Sequence, residues 1–265
     1  MNPISVNELT ESVNSNLPRD IKSTIAKNIL AEEKDSDVAK NIFSELINDL
    51  SSKTQREVVN ATGTVLHTNL GRSPNNISFS GSYTNIEYDL KTLSRGKRNE
   101  YLSVLMNNLI GSKDIAFVNN NASSLFLSLK AISKSHNIQN VIISRGEIIE
   151  IGGSYRLPEI INETGLNLVE IGTTNKTKLS DYRKALEKYP NSLILKVHRS
   201  NFSINGFTED VSISELAELK NKYDVFLLHD LGSGLVIDKK FLEVNNVNIF
   251  RDEPFVQDSL SDGSD

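Results

Sequence analysis

Residues 223–234 run Tyr-Asp-Val-Phe-Leu-Leu-His-Asp-Leu-Gly-Ser-Gly. The apolar run at residues 225–228 is typical of a short buried strand in a sheet that is covered on both faces. That strand would deliver His229 and Asp230 at its carboxyl end, and the glycines that follow predict a sharp turn. In open α/β sheets ligands bind outside the carboxyl ends of the strands, so a carboxylate at this point is expected to face a ligand.

Two roles suit Asp230. A carboxylate that pairs with the protonated ring nitrogen of pyridoxal phosphate keeps that ring an electron sink. The alternative is a structural aspartate that caps the turn. The choice between them depends on the rest of the chain.

Upstream of this stretch, apolar runs alternate with helical patterns. We predict strands at residues 115–118, 141–144, 168–171 and 193–197, and helices after Asn121, near residues 157–164 and 181–188, and from Ile213. Ser212 and Glu215 have the spacing of a capping box at the start of the last of these helices. The alternation predicts an α/β fold with a mostly parallel sheet and helices on both faces.

The amino-terminal residues 1–55 have a different pattern, polar and helical. Two apolar stripes recur there at helical spacing, Ile21-Ile25-Ile29-Leu30 and Val38-Ile42-Leu46-Leu50, the second beside Phe43 and Ile47. We therefore predict a small helical domain at residues 1–55 and one large α/β domain at residues 56–265.

Composition excludes several classes of site. The chain has 265 residues, is 38% hydrophobic and contains no cysteine, so it has no disulfide, thiolate metal site or thiol nucleophile. A net charge of −5 argues against a globally basic nucleic-acid binder. The amino terminus lacks the features of a secretory signal, and no apolar run is long enough to span a membrane. We expect a soluble cytoplasmic protein without a membrane partner.

Two further polar stretches follow predicted strands. Residues 119–124, Asn-Asn-Asn-Ala-Ser-Ser, open a helix, where free N–H groups and the helix dipole favour a phosphate; the alternative is an ordinary helix cap. His198, Ser200 and Asn201 emerge from the strand at residues 193–197, and Asn201 precedes Asp230 by about one strand–helix–strand unit. Asn201 and Asp230 could therefore contact one ligand, although His198 alone would more often be a structural histidine.

Arginines in polar loops are candidates for binding anions. Arg72, Arg95, Arg98 and Arg145 lie in such loops, where a functional arginine binds phosphate or carboxylate bidentately and an ordinary one is only solvated. A metal-dependent phosphohydrolase would need His67, His198, His229 and Asp230 as ligands, but these lack metal-ligand spacing, so no metal site is predicted.

Seven short motifs follow one another along the chain. They are Asn-Ala-Thr-Gly-Thr-Val-Leu-His-Thr-Asn-Leu-Gly-Arg (60–72), Val-Asn-Asn-Asn-Ala (118–122), Ser-Arg-Gly-Glu-Ile-Ile-Glu-Ile-Gly-Gly-Ser-Tyr-Arg (144–156), Glu-Ile-Gly-Thr-Thr-Asn-Lys-Thr (170–177), Lys-Val-His-Arg-Ser-Asn-Phe (196–202), Gly-Phe-Thr-Glu (206–209) and His-Asp-Leu-Gly-Ser-Gly (229–234). From about residue 56 onward, this order closely resembles the bacterial L-seryl-tRNA(Sec) selenium transferases, the selenocysteine synthases.

The resemblance implies a fold-type-I pyridoxal phosphate enzyme of selenocysteine biosynthesis. Such an enzyme eliminates water from the serine of seryl-tRNA(Sec) and takes selenium from selenophosphate, giving selenocysteinyl-tRNA(Sec). It also implies roles for individual residues. Asp230 would pair with the ring nitrogen, Asn201 would neighbour the 3-hydroxyl, His198 would line the ring, Asn121, Ala122 and Ser123 would hold the phosphate, Ser233 would contact the cofactor, and Arg72, with Arg95 and Arg98 as weaker candidates, would receive selenophosphate.

The resemblance further implies a homo-oligomer, a ring of dimers in which two subunits build each active site and the amino-terminal domain binds the tRNA. The sequence departs from the family in two ways. It contains no Ser-Gly-Asp-Lys, the segment that carries the cofactor-binding lysine, nor the carboxyl-terminal domain beyond it, and its amino-terminal domain is acidic where RNA binding favours cations. We expect an inactive fragment. The alternatives are a pyridoxal phosphate lyase acting on a free amino acid and a non-catalytic remnant that only oligomerises.

Overall fold

The computed structural model describes residues 3–52, 57–64, 67–71, 73–74, 78, 81–151, 155–237, 239–245 and 253–265. Contacts between backbone positions divide the chain into two compact units, Met1–Ile77 and Ser78–Asp265. The domain boundary expected near residue 55 falls in residues 53–56, which lie outside the described residues, and it stays a prediction.

The amino-terminal unit contains the helices α1 (Val6–Glu11), α2 (Arg19–Glu32) and α3 (Ser36–Ser51). Ser5 begins α1 with a capping box, in which its hydroxyl accepts from the Glu8 N–H while the Glu8 carboxylate accepts from the Ser5 N–H. The Asp35 carboxylate caps α3 by accepting from the Asp37 and Val38 N–H groups. These caps satisfy N–H groups that have no carbonyl partner within the helix.

The core of this unit is built from the face of α3 beside the predicted stripe. Phe43 and Ile47 are fully buried, together with Leu9 and Ala26. By contrast, the four residues of the stripe stay about two-fifths exposed, namely Val38, Ile42, Leu46 and Leu50. Two neighbouring faces of α3 are apolar, and Phe43 lies on the one that packs inward.

The second unit alternates strands and helices. Its elements are β1 (Tyr88–Asp89), β2 (Ser94–Arg95), α4 (Glu100–Ile110), α5 (Asn121–His136), β3 (Asn140–Ser144), β4 (Glu150–Ile151), β5 (Tyr155–Arg156), α6 (Leu157–Glu163), β6 (Asn167–Ile171), α7 (Leu179–Lys188), β7 (Ser192–Val197), α8 (Ile213–Tyr223), β8 (Leu227–Asp230), α9 (Lys239–Val244) and α10 (Val256–Ser261). The pairs β1–β2 and β4–β5 are short antiparallel ribbons.

The main sheet of the described residues has the strand order β6-β3-β7-β8, and all of its pairs are parallel. Successive side chains of these strands point to opposite faces. On one face Ile143 and Leu195 pack with α5 and α6, and on the other Ile142 and Ile194 pack with α7 and α8. Each such buried side chain stabilises the fold by about 1.5–3 kcal/mol. The predicted α/β fold, with a parallel sheet covered on both faces, is confirmed.

Two predicted strands differ from the structure. Residues 115–118 are all described and carry no strand, since this apolar run has no hydrogen-bonded neighbour strand among the described residues. The last strand comprises Leu227–Asp230 rather than residues 225–228. It starts later because Asp224 ends α8 in a left-handed conformation and the Val225 N–H still donates to the Lys220 carbonyl.

Candidate active site

The candidate site lies at the carboxyl edge of the main sheet. Within the main sheet, the next strand after β3 along the chain is β6, which lies on one side of β3. The strand after that is β7, which lies on the other side, so the strand order reverses between β3 and β7. Ligands of open α/β sheets bind at such a topological switch point. At the same edge, β7 and β8 end in register, with Val197 opposite Asp230.

Asp230 is buried, with 7% of its surface exposed, and lies beside the amino terminus of α5. The Asn121 side-chain amide donates to its Oδ1 at 2.8 Å, and the Gly232 backbone N–H donates to the same oxygen at 2.9 Å. A cavity of about 200 Å³ adjoins these groups, lined by Asn121, Ser124, Ser128, Asp230 and Gly232 among others. The structure thus joins two of the predicted site residues across 109 positions of sequence.

The first turn of α5 is built to offer N–H groups. Asn120 is the helix cap, and its side-chain oxygen accepts from the Ser123 N–H at 2.8 Å. Ala122 and Ser123 are half-buried behind it. Because the first turn of any helix has N–H groups without helical partners and a positive dipole end, this turn can bind an anion next to Asp230.

The exit of β7, residues 198–201, is hydrogen-bonded to β8 through its backbone. The His198 N–H donates to the Asp230 carbonyl at 2.8 Å, and His198 Nε2 lies 3.9 Å from a Glu253 carboxylate oxygen. Gly232 packs so closely on Ser200 that an added Cβ would lie 2.7 Å from the Ser200 hydroxyl oxygen, and its φ of +66° also favours glycine. The turn after β8 therefore packs directly against the exit of β7.

Asn201 and Ser233 are also predicted site residues, but neither is among the residues that line this cavity. The Asn201 side-chain amide is exposed and donates to the Glu150 carbonyl at 3.0 Å, so Asn201 is not among the residues that line the cavity beside Asp230. Ser233 is exposed in the turn after β8. Arg72 lies outside the described residues. The proposed contacts of these three residues with ligands stay predictions.

Three of the loop arginines have acidic or carbonyl partners. Arg95 and Arg98 both pair with Glu87, and Arg145 pairs with Glu170 while donating to the Gly172 carbonyl. The side chains of these arginines are at least half exposed, so each pair contributes little to stability. Arg95 and Arg98 lie together on one carboxylate, whereas Arg145 belongs to a different loop.

A charge network that we had not predicted lies on the opposite face of the sheet, where Glu147 and Lys196 are buried while Asp210 and Arg199 are partly exposed. Lys196 Nζ donates to Glu147 Oε1 and to Asp210 Oδ1, each at 2.6 Å, and the second Asp210 oxygen accepts from Arg199 at 3.0 Å. Glu147 is fully buried, and burial raises the pKa of its carboxyl. A lysine inside the apolar run Leu-Ile-Leu-Lys-Val at residues 193–197 was the sequence signal for this network.

His229 lies on the network side of β8. Its Nδ1 is 2.7 Å from the hydroxyl of Ser259, and burial, together with the nearby Lys196 and His198, lowers the pKa of His229 from 6.5 to about 4. A histidine held neutral in this way suits a structural role. Among the described residues no group of His, Cys, Asp or Glu has the arrangement of a metal site. No helix in that part of the chain has the length and apolarity needed to cross a membrane.

Comparison with known proteins gives the following matches. A family model described as L-seryl-tRNA selenium transferase (SelA) matches residues 58–265. The L-seryl-tRNA(Sec) selenium transferase of Aliarcobacter butzleri is 39% identical over 264 residues, which cover 92% of this chain and 56% of the relative. That of Moorella thermoacetica is 44% identical over 217 residues, 79% of this chain and 44% of the relative.

The chain spans about half the length of the curated relatives it matches. Among solved structures, a D-glucosaminate-6-phosphate ammonia-lyase matches with 14% identity and a TM-score of 0.47, over 63% of this chain and 42% of that one.

Proposed function

The chain belongs to the L-seryl-tRNA selenium transferase family, whose model matches residues 58–265, and we propose that its second unit binds pyridoxal 5'-phosphate for the conversion of seryl-tRNA(Sec) to selenocysteinyl-tRNA(Sec). One observation carries this proposal. The Asn121 amide bonds to Asp230 at 2.8 Å, so a buried carboxylate and a helix amino terminus share one cavity. These are the two groups that a phosphorylated pyridinium ring requires.

The residues present fit such a ring. The described residues donate two hydrogen bonds to the Asp230 carboxylate, and both reach Oδ1, which supports a role for Oδ2 in accepting a proton from the ring nitrogen. The phosphate would bind to the backbone N–H groups of Asn121 and Ala122 and to the Ser123 hydroxyl in the first turn of α5, since the Ser123 N–H already donates to Asn120. When bound, the cofactor supplies an electron sink that makes the α-proton of serine acidic and lets its hydroxyl leave.

The protein's own contribution is positioning and charge. Asp230 would keep a proton on the ring nitrogen, and Asn121 orients the carboxylate for that task. We propose that His198 lines one side of the ring, and that Asn201 and Ser233 contact the cofactor. The His198 backbone bond to the Asp230 carbonyl supports the first of these assignments, because it holds the exit of β7 against β8.

The substrates and the assembly are proposed from the family. Arg72, with Arg95 and Arg98, would receive selenophosphate, and the amino-terminal helices would bind the tRNA, which implies reaction in the cytoplasm. A homo-oligomer in which two subunits share each site is supported by α4, whose Tyr101 and Val104 side chains are 75% and 56% exposed.

The 265 residues contain no Ser-Gly-Asp-Lys, and we propose that on their own they bind the cofactor without covalent attachment and without turnover.

Titration with pyridoxal phosphate in phosphate-free buffer tests the site. Asp230→Asn should raise the dissociation constant, measured by equilibrium dialysis, by about 10- to 100-fold, because it replaces a charged hydrogen-bond acceptor. Asp224→Asn is the matched control, because Asp224 lies in the turn before the same strand and is exposed, and it should change the constant by less than about twofold. Equal effects of the two changes, or an absorption band of lysine-bound cofactor, would contradict the proposal.

A further inference from the structure

The carboxyl end of the main sheet contains a gap between two strands. The pairing of β3 with β7 ends at Ile142 and Ile194, whereas β3 stays paired with β6 as far as Ser144, and β7 with β8 as far as Val197. The N–H groups of Ile194 and His198 donate toward β8, so the Val197 N–H points toward the gap. A buried N–H at that position needs an acceptor that no strand supplies.

Glu147 supplies this acceptor. Its Oε2 accepts from the Val197 N–H at 3.0 Å, and its Oε1 accepts from Lys196 Nζ at 2.6 Å. The side chain of Glu147 is 1% exposed and that of Lys196 is 11% exposed. At the end of β7, a side chain from the loop after β3 therefore accepts the hydrogen bond that a neighbouring strand would otherwise accept.

The network continues to a third segment. Lys196 Nζ also donates to Asp210, and Asp210 accepts from Arg199 and from the Val211 N–H. Two carboxylates and two cations thus join the loop after β3, the exit of β7 and the segment before α8. Burial of the Lys196–Glu147 ion pair gains little stability over well-packed apolar side chains, because each charge loses its hydration. Stability alone does not account for this choice of residues.

The exit of β7 is the segment that the site depends on. Residues 198–201 begin one residue after Val197, and they contact the Asp230 carbonyl, Gly232 and the Glu150 carbonyl through His198, Ser200 and Asn201. Glu147 and Lys196 lie on the opposite face of the sheet from Asp230, so they act on this segment through the backbone.

We propose that Glu147 is a positioning residue of the cofactor site, and that its bond to the Val197 N–H fixes residues 198–201 against the end of β8. The link to the cofactor rests on the proposed function. The hydrogen bond between Glu147 and the Val197 N–H is observed and does not depend on that function. Lys196 neutralises the Glu147 carboxylate and holds it toward Val197.

Two double variants isolate the acceptor from the charge. Glu147→Gln with Lys196→Met and Glu147→Leu with Lys196→Met both remove the buried ion pair, but only glutamine retains an oxygen for the Val197 N–H. Hydrogen–deuterium exchange of peptides spanning residues 197–202, measured without cofactor, should be about tenfold faster in the leucine variant than in the glutamine variant. Peptides from α2 and α3 should exchange alike in both. Equal exchange of residues 197–202 would overturn the proposal.

A single change covers the case in which the leucine variant does not fold. Glu147→Asp keeps the charge and shortens the reach to Val197, and it should also speed exchange at residues 197–202; unchanged exchange would overturn the proposal. Pyridoxal phosphate affinity is the second readout, and the leucine double variant should bind about tenfold more weakly than the glutamine one. If the unsubstituted chain does not bind the cofactor, the proposed function fails while the exchange measurement still decides the role of Glu147.

Discussion

The carboxyl edge of the main sheet has two charged clusters, one on each face, and they are built in opposite ways. Beside α5, Asp230 accepts two hydrogen bonds on one oxygen and adjoins a cavity of about 200 Å³. Beside α7 and α8, both oxygens of Glu147 and both oxygens of Asp210 accept bonds from the chain itself. The first cluster adjoins a cavity and can bind a ligand, so we call it open. In the second, which we call filled, protein groups already bond to the carboxylate oxygens.

This difference separates two tasks that a catalytic fold must perform. The open cluster can hold a ligand because the described residues do not use all of its polar groups. The filled cluster fixes backbone where two strands part, between β3 and β7. A charged cluster in a sheet is therefore evidence for a binding site only when a cavity adjoins it, and the two faces should respond differently to substitution, to pH and to anions.

The largest difference should appear when one member of each cluster is removed. Lys196→Met leaves the fully buried Glu147 without its cation and should lower the free energy of unfolding by about 3–5 kcal/mol. The matched change on the open face, Asn121→Ala, removes one exposed donor to Asp230 and should cost about 1 kcal/mol. Urea unfolding followed by circular dichroism measures both. Similar losses in the two variants would mean that the clusters do not differ as we describe.

The pH dependence of stability should come from the filled face. The folded chain keeps His229 neutral down to a pKa of about 4, while the unfolded chain binds its proton near 6.5. The contribution of neutral His229 to the free energy of unfolding is therefore fully present above pH 6.5. As the pH falls toward 4, this contribution is lost and the free energy of unfolding decreases by about 3 kcal/mol. The Glu147 carboxyl, whose pKa burial raises, opposes this loss because its protonation favours the folded state.

Unfolding measured between pH 7 and pH 4 in His229→Gln isolates the histidine. This variant should lose less stability on acidification than the unsubstituted chain does. His136→Gln, at the exposed end of α5, should keep the full loss. A pH profile of His229→Gln parallel to that of the unsubstituted chain would show that His229 is not held neutral.

Sequence pattern predicted the sheet better than it predicted these clusters. Strands buried on both faces are short apolar runs, so residues 193–197 were identifiable as the strand that became β7. Residues 115–118 are equally apolar, but strand formation depends on a neighbour that pattern does not reveal. On α3 the periodicity marks two adjacent apolar faces, and only packing selects Phe43 over Ile42 for the core.

The contacts of the site depend on distances along the chain that pattern cannot bridge. Asn121 and Asp230 were each predicted from local context, yet their hydrogen bond joins positions 109 residues apart. No local pattern distinguishes Glu147, because its importance arises from its hydrogen bond to Val197, 50 residues later. Local chemistry therefore predicts candidates, while the pairing of strands decides which candidates meet.

The smallest predicted effect compares the helix that opens onto each cluster. Asn120 caps α5 through the Ser123 N–H, and Ser212 caps α8 in a capping box with Glu215. Replacing either cap by alanine should lower the free energy of unfolding by about 1 kcal/mol. If α5 alone binds phosphate, inorganic phosphate should recover part of the loss in Asn120→Ala, because the anion accepts from the freed N–H group.

Phosphate should recover none of the loss in Ser212→Ala, where Glu215 already places a carboxylate on the first turn of the helix. General salt effects act on both variants alike, so the difference between them is the quantity that matters. Equal recovery in the two variants would mean that the first turn of α5 has no special affinity for phosphate. The distinction between an open and a filled face would then rest on Asp230 and its cavity alone.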